Sequence, residues 1–97
     1  MNEAPRLRSA ASTSRAAADS SGEVALTPTE FRLLARLMSR PGEAVRRRDL
    51  VRAGWPHGAY VRENTLDAYV AKIRRKLNEL EGAPEIATVH GVGYRIE

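Results

Sequence analysis

Cysteine is absent from the 97 residues of this chain. Without it the chain has no disulfide, no thiolate metal ligand and no thiol nucleophile, which suits a reducing cytoplasm. No apolar run approaches the length of a membrane span, and the first residues lack the apolar core of a signal peptide. We therefore expect a soluble, cytoplasmic protein with no membrane partner.

Groupings that would support catalysis are missing as well. The two histidines stand in separate places, His57 in a predicted loop and His90 at a predicted hairpin tip. No motif brings serine, histidine and carboxylate together, and no ligand spacing is typical of a metal site. Gly91 and Gly93 lack the third glycine and the lysine of a phosphate-binding loop. The sequence thus predicts no enzyme, no cofactor and no metal.

What the chain does contain is a basic balance and enough apolar residues for one core. Lys and Arg number 16 against 12 acidic residues, and the sequence pI is about 10.1. This balance favours a polyanionic partner such as nucleic acid, although a net charge of +4 does not by itself establish one. The length fits one small domain.

The domain is expected to begin after an N-terminal segment. Residues 1–22 are rich in Ala and Ser and predict a flexible segment, which leaves residues 23–97 as the folded domain. Glu23–Leu26 alternates polar and apolar residues, as a short strand does. Arg15–Ala18 could pair with it across a Ser-Ser-Gly turn.

The first helix has a clear start signal. Thr27 suits the N-cap, Pro28 the first helical position, and Glu30 completes a capping box. Leu26 and Phe31 stand at the positions of a hydrophobic staple. The segment 39–42, Ser-Arg-Pro-Gly, predicts the end of this scaffold helix. Its predicted apolar stripe consists of Phe31, Leu34, Leu37 and Met38.

The second helix is predicted over Arg47–Gly54, after Val45, which either pairs in a short extended piece or seats this helix. Three consecutive arginines at 46–48 oppose the dipole at its start, so either phosphate contact or a solvated charge run accounts for them. Its inward candidates are Leu50, Val51 and Ala53. Trp55-Pro56 closes the helix, and a seven-residue loop follows.

The third helix is predicted over residues 63–80, and the rest of the chain is organised around it. Its buried stripe is Leu66, Val70, Ile73, Leu77 and Leu80, at spacings of four, three, four and three. The opposite face places two alanines, Ala68 and Ala71, between cations. Low bulk flanked by cations is what a helix in the DNA major groove needs. A solvated surface helix is the competing interpretation of the same face.

A hairpin is predicted at the C-terminal side. Ile86 to His90 reads as a strand, residues 91–93 as a turn with Gly91 and Gly93 as turn glycines, and Tyr94 to Ile96 as the returning strand. After a basic helix, such a hairpin can act as a wing on the sugar-phosphate backbone or in the minor groove. A hairpin that merely closes the core would have a similar pattern.

Four motifs in order and spacing resemble a known family. They are LTPTEF at 26–31, Trp55, NTLDAYVAKIRRKL at 64–77 and TVHGVGYR at 88–95. Together they resemble the OmpR/PhoB-type winged-helix effector domain of bacterial two-component response regulators. The resemblance implies an α+β winged helix-turn-helix, with a three-helix core, a C-terminal β-hairpin wing and a reduced N-terminal β element. The implied function is sequence-specific binding of double-stranded DNA for transcriptional regulation.

The resemblance also implies roles for particular residues, with helix 63–80 in the major groove and wing 86–96 on the backbone or minor groove. The residues at base-facing positions are Thr65, Asp67, Ala68 and Lys72. Those at DNA-backbone positions are Trp55, Asn64, Tyr69, Arg74, Arg75, Thr88 and Tyr94. His90 takes the wing tip. The loop at the family's polymerase-contacting position consists of Pro56, His57, Gly58, Ala59, Tyr60, Val61 and Arg62.

Departures from the family pattern support an alternative. Asn64, Ala71 and His90 each stand where the family commonly has a basic or polar residue. A protein-interaction module that contacts RNA polymerase through loop 56–62, with only weak non-specific DNA binding, is therefore a second hypothesis.

The expected partners go beyond the duplex itself. No stretch matches a receiver domain, so we expect a free-standing effector domain or a piece of a longer regulator, and the N-terminal segment favours the former. The expected partners are double-stranded DNA, RNA polymerase, a receiver domain or a second copy on tandem half-sites.

Overall fold

The computed structural model describes residues 6–9 and 23–97. Within them the strands are β1 (Arg6–Ser9), β2 (Glu23–Leu26), β3 (Val45–Arg46), β4 (Ile86–Val89) and β5 (Gly93–Ile96), and the helices are α1 (Pro28–Met38), α2 (Arg47–Gly54) and α3 (Glu63–Leu77). The predicted three-helix core with a C-terminal hairpin is confirmed. In the described part of the chain, no helix is both long and apolar enough to cross a membrane.

The N-terminal β element consists of two parallel strands. Leu7 of β1 pairs with Val24 of β2, and Ser9 pairs with Leu26. Residues 6–9 belong to the segment that the sequence predicted to be flexible, and they form a strand. The suggested pairing of Arg15–Ala18 lies outside the described residues. Val24 and Leu26 point into the core, where they are 3% and 0% exposed.

Helix α1 starts as the sequence predicts. The Thr27 side chain accepts a hydrogen bond from the Glu30 N–H at 3.2 Å, and Glu30 Oε1 accepts one from the Thr27 N–H at 2.9 Å. The predicted stripe, however, is wrong at two positions: Phe31 and Met38 are 43% and 45% exposed. The buried face comprises Glu30, Leu33, Leu34 and Leu37, the spacing of one helical face, so it includes Leu33 and leaves Phe31 and Met38 outside.

Helix α2 begins and ends where the sequence predicts. Arg46 occupies its N-cap without a side-chain hydrogen bond, and Trp55 follows its last turn. At the C-terminal end, Arg32 Nε of α1 donates to the Gly54 carbonyl at 3.3 Å. A Cβ on Gly54 would lie 2.9 Å from a Leu33 methyl, so this glycine lets α1 and α2 pack closely. Leu50 is the inward residue that is fully buried, whereas Val51 and Ala53 are half-buried.

Helix α3 buries the predicted stripe but is shorter than predicted. Leu66, Val70, Ile73 and Leu77 are buried on its inner face. The helix ends at Leu77 rather than Leu80, because the N–H groups of Glu79 and Leu80 bond three residues back, to Lys76 and Leu77. Leu80 is nonetheless 7% exposed, so it adds to the core from a turn.

The C-terminal sheet has three antiparallel strands in the order β3-β5-β4. Val45 pairs with Tyr94 and Ile86 pairs with Ile96, so β5 lies in the centre. The prediction of Gly93 as a turn glycine is wrong. Strand β4 was predicted to end at His90 and ends at Val89. Gly93 begins β5, and a Cβ there would lie 2.0 Å from the Val45 carbonyl oxygen. Close backbone approach, rather than turn geometry, therefore requires glycine at this position.

Candidate nucleic-acid interface

The outer face of α3 projects away from the core next to the hairpin. Asn64, Ala68, Lys72 and Arg75 are exposed there, at spacings of four, four and three residues. They lie opposite the buried stripe, as a helical period requires. Ala68 carries only a methyl group, and the cations of Lys72 and Arg75 follow it along the helix. The middle of this face is therefore low and its C-terminal half is positively charged, whereas Thr65 and Ala71 at its borders are half-buried.

Three side chains form a stack at the border between α3 and the end of α2. The rings of Trp55 and Tyr69 meet edge to face, with centroids 5.2 Å apart and an interplanar angle of 84°. Lys72 Nζ lies 5.5 Å from the Tyr69 ring centroid. Edge-to-face and cation–π contacts both limit side-chain rotation. Tyr69 therefore holds the Lys72 ammonium close to the helix surface.

A cluster of charged and aromatic side chains joins α2, α3 and β5. This arginine–tyrosine cluster consists of Arg47, Asp67, Arg74 and Tyr94. Asp67 Oδ1 accepts hydrogen bonds from Arg47 Nη2, at 2.7 Å, and from the Tyr94 hydroxyl. The guanidinium carbons of Arg47 and Arg74 lie 5.8 Å and 5.5 Å from the Tyr94 ring centroid. The phenol ring thus has two cations beside it and one carboxylate at its hydroxyl.

Arg74 continues the cluster into the hairpin. Its Nε and Nη2 donate to the Ile86 carbonyl at 3.0 Å and 2.8 Å, and Nη2 also donates to Thr88 Oγ1 at 3.0 Å. Ile86 and Thr88 belong to β4, whereas Arg74 belongs to the last turn of α3. One guanidinium therefore joins the end of α3 to strand β4 by hydrogen bonds.

The cluster shifts the protonation equilibria of its members. The hydrogen bond from Tyr94 lowers the pKa of Asp67 below its ordinary value of 3.8, Arg47 and Arg74 lower it further, and partial burial opposes them. Burial raises the pKa of the Tyr94 phenol above 10.0, and its bond to Asp67 adds to the effect. At neutral pH the phenol is the donor and the carboxylate the ionised acceptor.

The hairpin tip lies beside the start of α2. Gly91 has a φ of 75° in the left-handed region, as the turn there requires. His90 is exposed and Val92 is 39% exposed. The Val92 carbonyl accepts a hydrogen bond from the Arg47 N–H at 3.1 Å. Arg47 therefore holds the wing tip through its backbone and Asp67 through its side chain.

The loop between α2 and α3 borders a separate groove. Tyr60 is 91% exposed in this loop. The groove measures about 510 Å³, and Val51, Val61 and Leu66 are among the apolar residues that line it. The surrounding arginines are Arg47, Arg48, Arg52 and Arg62.

The structure thus brings most of the predicted site residues together around α3, but it gives several of them internal partners. Lys72, Asn64, Ala68, Arg75, Thr88 and His90 are exposed or free of the core, whereas Tyr94 is 4% exposed and Asp67 is engaged at Oδ1. Arg47 was not identified from the sequence as a separate member of the site. Its only signal was the arginine run at 46–48, of which position 47 alone faces inward far enough to be half-buried.

No group of three or more histidine and acidic side chains that could hold a metal ion occurs among residues 6–9 and 23–97.

Comparison with known proteins gives consistent matches. A family model described as "Transcriptional regulatory protein, C terminal" matches residues 21–96. The phosphate regulon transcriptional regulatory protein PhoB of Rhizobium meliloti is 47% identical over 77 residues, which are 79% of this chain and 34% of that protein. The transcriptional regulatory protein ResD of Bacillus subtilis is 39% identical over 77 residues, 77% of this chain and 32% of that protein. The chain thus spans about a third of the length of these relatives.

Solved structures share the fold. The DNA-binding domain of the response regulator AdeR, solved in complex with an intercistronic region, superposes with a TM-score of 0.67 at 30% identity, covering 74% of this chain and 71% of that one. The DNA-binding domain of Bacillus subtilis CssR gives a TM-score of 0.67 at 30% identity, covering 81% of this chain and 86% of that one. These neighbours confirm the α+β winged-helix class.

Proposed function

The chain belongs to the OmpR/PhoB-type family of C-terminal domains of transcriptional regulatory proteins, and we propose from this premise that it reads a specific sequence of double-stranded DNA to control transcription. Helix α3 would enter the major groove, and the hairpin β4–β5 would lie along the backbone or in the minor groove. The family is a class of transcription regulators rather than of enzymes, and we propose no catalytic role.

One observation carries this proposal: the outer face of α3 is low at Ala68 and cationic at Lys72 and Arg75, and it is exposed beside the hairpin. A major groove about 12 Å wide admits a helix whose central side chains are small. Cations on the same face then neutralise phosphates on either side. A helix that served only the core would not need this combination.

Roles can be proposed residue by residue. Thr65, Ala68 and Lys72 face the bases, and Lys72 is the donor suited to guanine O6 and N7. His90 extends from the wing tip towards the minor groove. The residues proposed for the backbone are Trp55, Asn64, Tyr69, Arg75 and Thr88. Asp67, Arg74 and Tyr94 already have hydrogen-bond partners within the chain.

The proposal is tested by selecting duplexes from a random library with the full 97-residue chain and titrating the enriched duplex against a scrambled one at two salt concentrations. We expect enrichment of one motif and a preference for it that persists at the higher salt. Lys72→Ala should lose about 1–3 kcal/mol for the enriched duplex. Arg40→Ala removes an exposed cation from the turn that follows α1 and should bind as the parent chain does. Sequence-blind binding with a steep salt dependence would overturn the proposal.

A second function of the same domain is favoured by the groove beside the loop. We propose that loop 56–62 contacts RNA polymerase, because Tyr60 is 91% exposed and lines a groove of about 510 Å³ together with apolar residues and arginines. Capture of purified polymerase by the immobilised chain tests this contact. Tyr60→Ser should reduce the capture and leave duplex binding unchanged; equal capture by both chains would exclude the loop.

Other partners follow from the family and from the short span of the match. We propose that a second copy binds an adjacent half-site about one helical turn away, and that a receiver domain regulates the assembly where one is present. Function on the chromosome would place the protein in the cytoplasm. An enriched motif with two repeats at one-turn spacing would support the second copy, and a single unrepeated motif would argue against it.

A further inference from the structure

Four side chains from three elements meet between α3 and the hairpin. We propose that Arg47 and Asp67 are positioning residues of the DNA interface. With Tyr94 and Arg74 they hold the outer face of α3 and the wing at a fixed separation, so that both contact one duplex at once. This inference rests on the proposed function and deepens it. It assigns Arg47 a role for the first time, and it replaces direct base contact as the role of Asp67.

Arg47 has attachments to three places. Its N–H donates to the Val92 carbonyl at the wing tip at 3.1 Å. Its Nη2 donates to the Glu63 carbonyl at 2.9 Å, where α3 begins, and to Asp67 Oδ1 at 2.7 Å, one turn further along. A residue that joins the wing tip to two points of the helix fixes their relative position, because a guanidinium offers its donors in a rigid plane.

The hydrogen bonds of Asp67 suit an internal link between elements rather than a direct contact to a DNA base. Both of its hydrogen bonds within the described residues converge on Oδ1, from Arg47 and from the Tyr94 hydroxyl. A free carboxylate would repel phosphates, whereas one paired with Arg47 and close to Arg74 presents little net charge to DNA. The carboxylate can therefore lie at this surface because it is neutralised there.

Tyr94 has partners within the chain and, in this proposal, supports the interface rather than contacting a phosphate. It is 4% exposed, it pairs with Val45 in the centre of the sheet, and its hydroxyl is committed to Asp67. Through this hydroxyl β5, the central strand of the sheet, is joined to the second turn of α3 at Asp67. Arg74 makes a second link, from the end of α3 to Ile86 and Thr88 of β4.

Two links at different heights along α3 have a physical consequence. One link would leave a hinge, whereas two fix both distance and angle. A duplex bound by helix and wing together is bound more tightly when their separation is set before binding, since less order has to be created on association. The expected function of the cluster is thus preorganisation of the two-point contact.

The test uses the duplex that the full-length parent chain enriches from a random library. Tyr94→Phe removes the hydroxyl and keeps the ring, Asp67→Asn removes the charge, and Arg47→Lys keeps the charge and loses the planar fork. Glu43→Gln and Arg40→Lys make the same changes in the exposed Arg40–Glu43 pair, whose atoms are 3.7 Å apart. Thermal unfolding of every variant fixes a temperature at which all of them are folded.

We expect each cluster variant to bind the enriched duplex about tenfold more weakly, because the helix and the wing then have to be fixed relative to each other on association. The loss should be spread over all base positions of the motif rather than centred on one. The cluster variants should bind the scrambled duplex as the parent chain does. The two control variants should bind the enriched duplex as the parent chain does.

The energetic coupling between the helix contact and the wing contact can be measured with a double-mutant cycle. A variant that only lowered the stability of the fold would leave this coupling unchanged. In the parent chain, the losses caused by Lys72→Ala and His90→Ala should be non-additive, because both contacts depend on one placement. In the Tyr94→Phe background the two losses should become additive.

Three results would overturn the inference. Asp67→Asn could change the preference at a single base pair while Tyr94→Phe does not, which would make Asp67 a direct reader. The coupling between Lys72 and His90 could be the same with and without the Tyr94 hydroxyl. Finally, a library that yields no enriched duplex would overturn the proposed function itself, and this inference with it.

Discussion

Glu30 and Lys76, which are 46 residues apart in the sequence, form an ion pair between α1 and α3, with Lys76 Nζ 2.6 Å from Glu30 Oε1. Glu30 lies at the start of α1 and is 2% exposed, whereas Lys76 lies in the last turn of α3. The same Oε1 accepts the Thr27 N–H of the capping box. One carboxylate therefore both starts α1 and ties it to the end of α3.

Removing the cation of this pair should destabilise the fold. Lys76→Met leaves the Glu30 carboxylate buried with only its backbone donor, so we expect a loss of about 1–3 kcal/mol in the free energy of unfolding. Arg40→Met is the matched control, because its pair with Glu43 is 3.7 Å long with both side chains largely exposed, and it should cost less than about 0.5 kcal/mol. Urea denaturation measures both. Equal losses would show that the burial of Glu30 has no energetic weight.

The two hairpin glycines should differ strongly in their tolerance of alanine. At Gly91 a Cβ meets nothing within 4 Å, and only the positive φ of 75° opposes it, so Gly91→Ala should cost about 1 kcal/mol. At Gly93 a Cβ would lie 2.0 Å from the Val45 carbonyl oxygen, so Gly93→Ala should cost about 3 kcal/mol or more. Thermal unfolding of both variants checks the order. A reversed order would contradict the strand pairing of Gly93 with Arg46.

Asp67 should make the stability depend on acidity. Its pKa is lowered below 3.8 in the fold, so its contribution is present above that value and is lost as the pH falls through and below it. The difference in urea midpoint between the parent chain and Asp67→Asn should therefore be largest near neutrality and shrink towards about pH 2.

Tyr94→Phe provides the control for this dependence. The Tyr94 hydrogen bond is the largest cause of the lowered pKa, so the acid loss of stability should be shallower in Tyr94→Phe than in the parent chain. If the urea midpoint fell equally with decreasing pH in both proteins, the assignment of this dependence to Asp67 would be contradicted.

A permanent cation at the wing tip should strengthen binding to any duplex. His90 is exposed at the tip, and His90→Arg places a guanidinium there that remains charged at all accessible pH values. We expect tighter binding and a slope of log K against log salt that steepens by roughly 0.9, the value for one additional phosphate contact. Met38→Arg adds the same charge on α1 and should leave the slope unchanged. A slope that steepens equally in both variants would show that only net charge matters.

Features set by neighbouring residues were predictable from the sequence. The capping box of Thr27 and Glu30, the bounds of α2 and the buried stripe from Leu66 to Leu77 each depend on spacing within one helix. The family resemblance supplied the winged-helix class, which the structure and its solved neighbours confirm, because motif order is visible in one dimension. The placement of the interface on α3 came from the same resemblance and stays a prediction.

Features set by distant residues were not predictable. Phe31 was expected in the core because it is apolar, yet the face of α1 is decided by α2 and α3, which accept Glu30 and Leu33 instead. Gly93 requires glycine because of a strand 48 residues earlier, at Val45. The importance of Arg47 depends on Asp67 and Val92, which no local pattern connects to it.

The central place of β5 has a consequence for synthesis on the ribosome. β5 pairs with β3 on one side and β4 on the other, and the Gly42 N–H donates to the Ile96 carbonyl at 2.9 Å. All three helices emerge from the exit tunnel before this strand. The sheet that joins the helices to the wing is complete only when residue 96 has left the tunnel. A nascent chain in which α3 has already emerged therefore still lacks the complete wing.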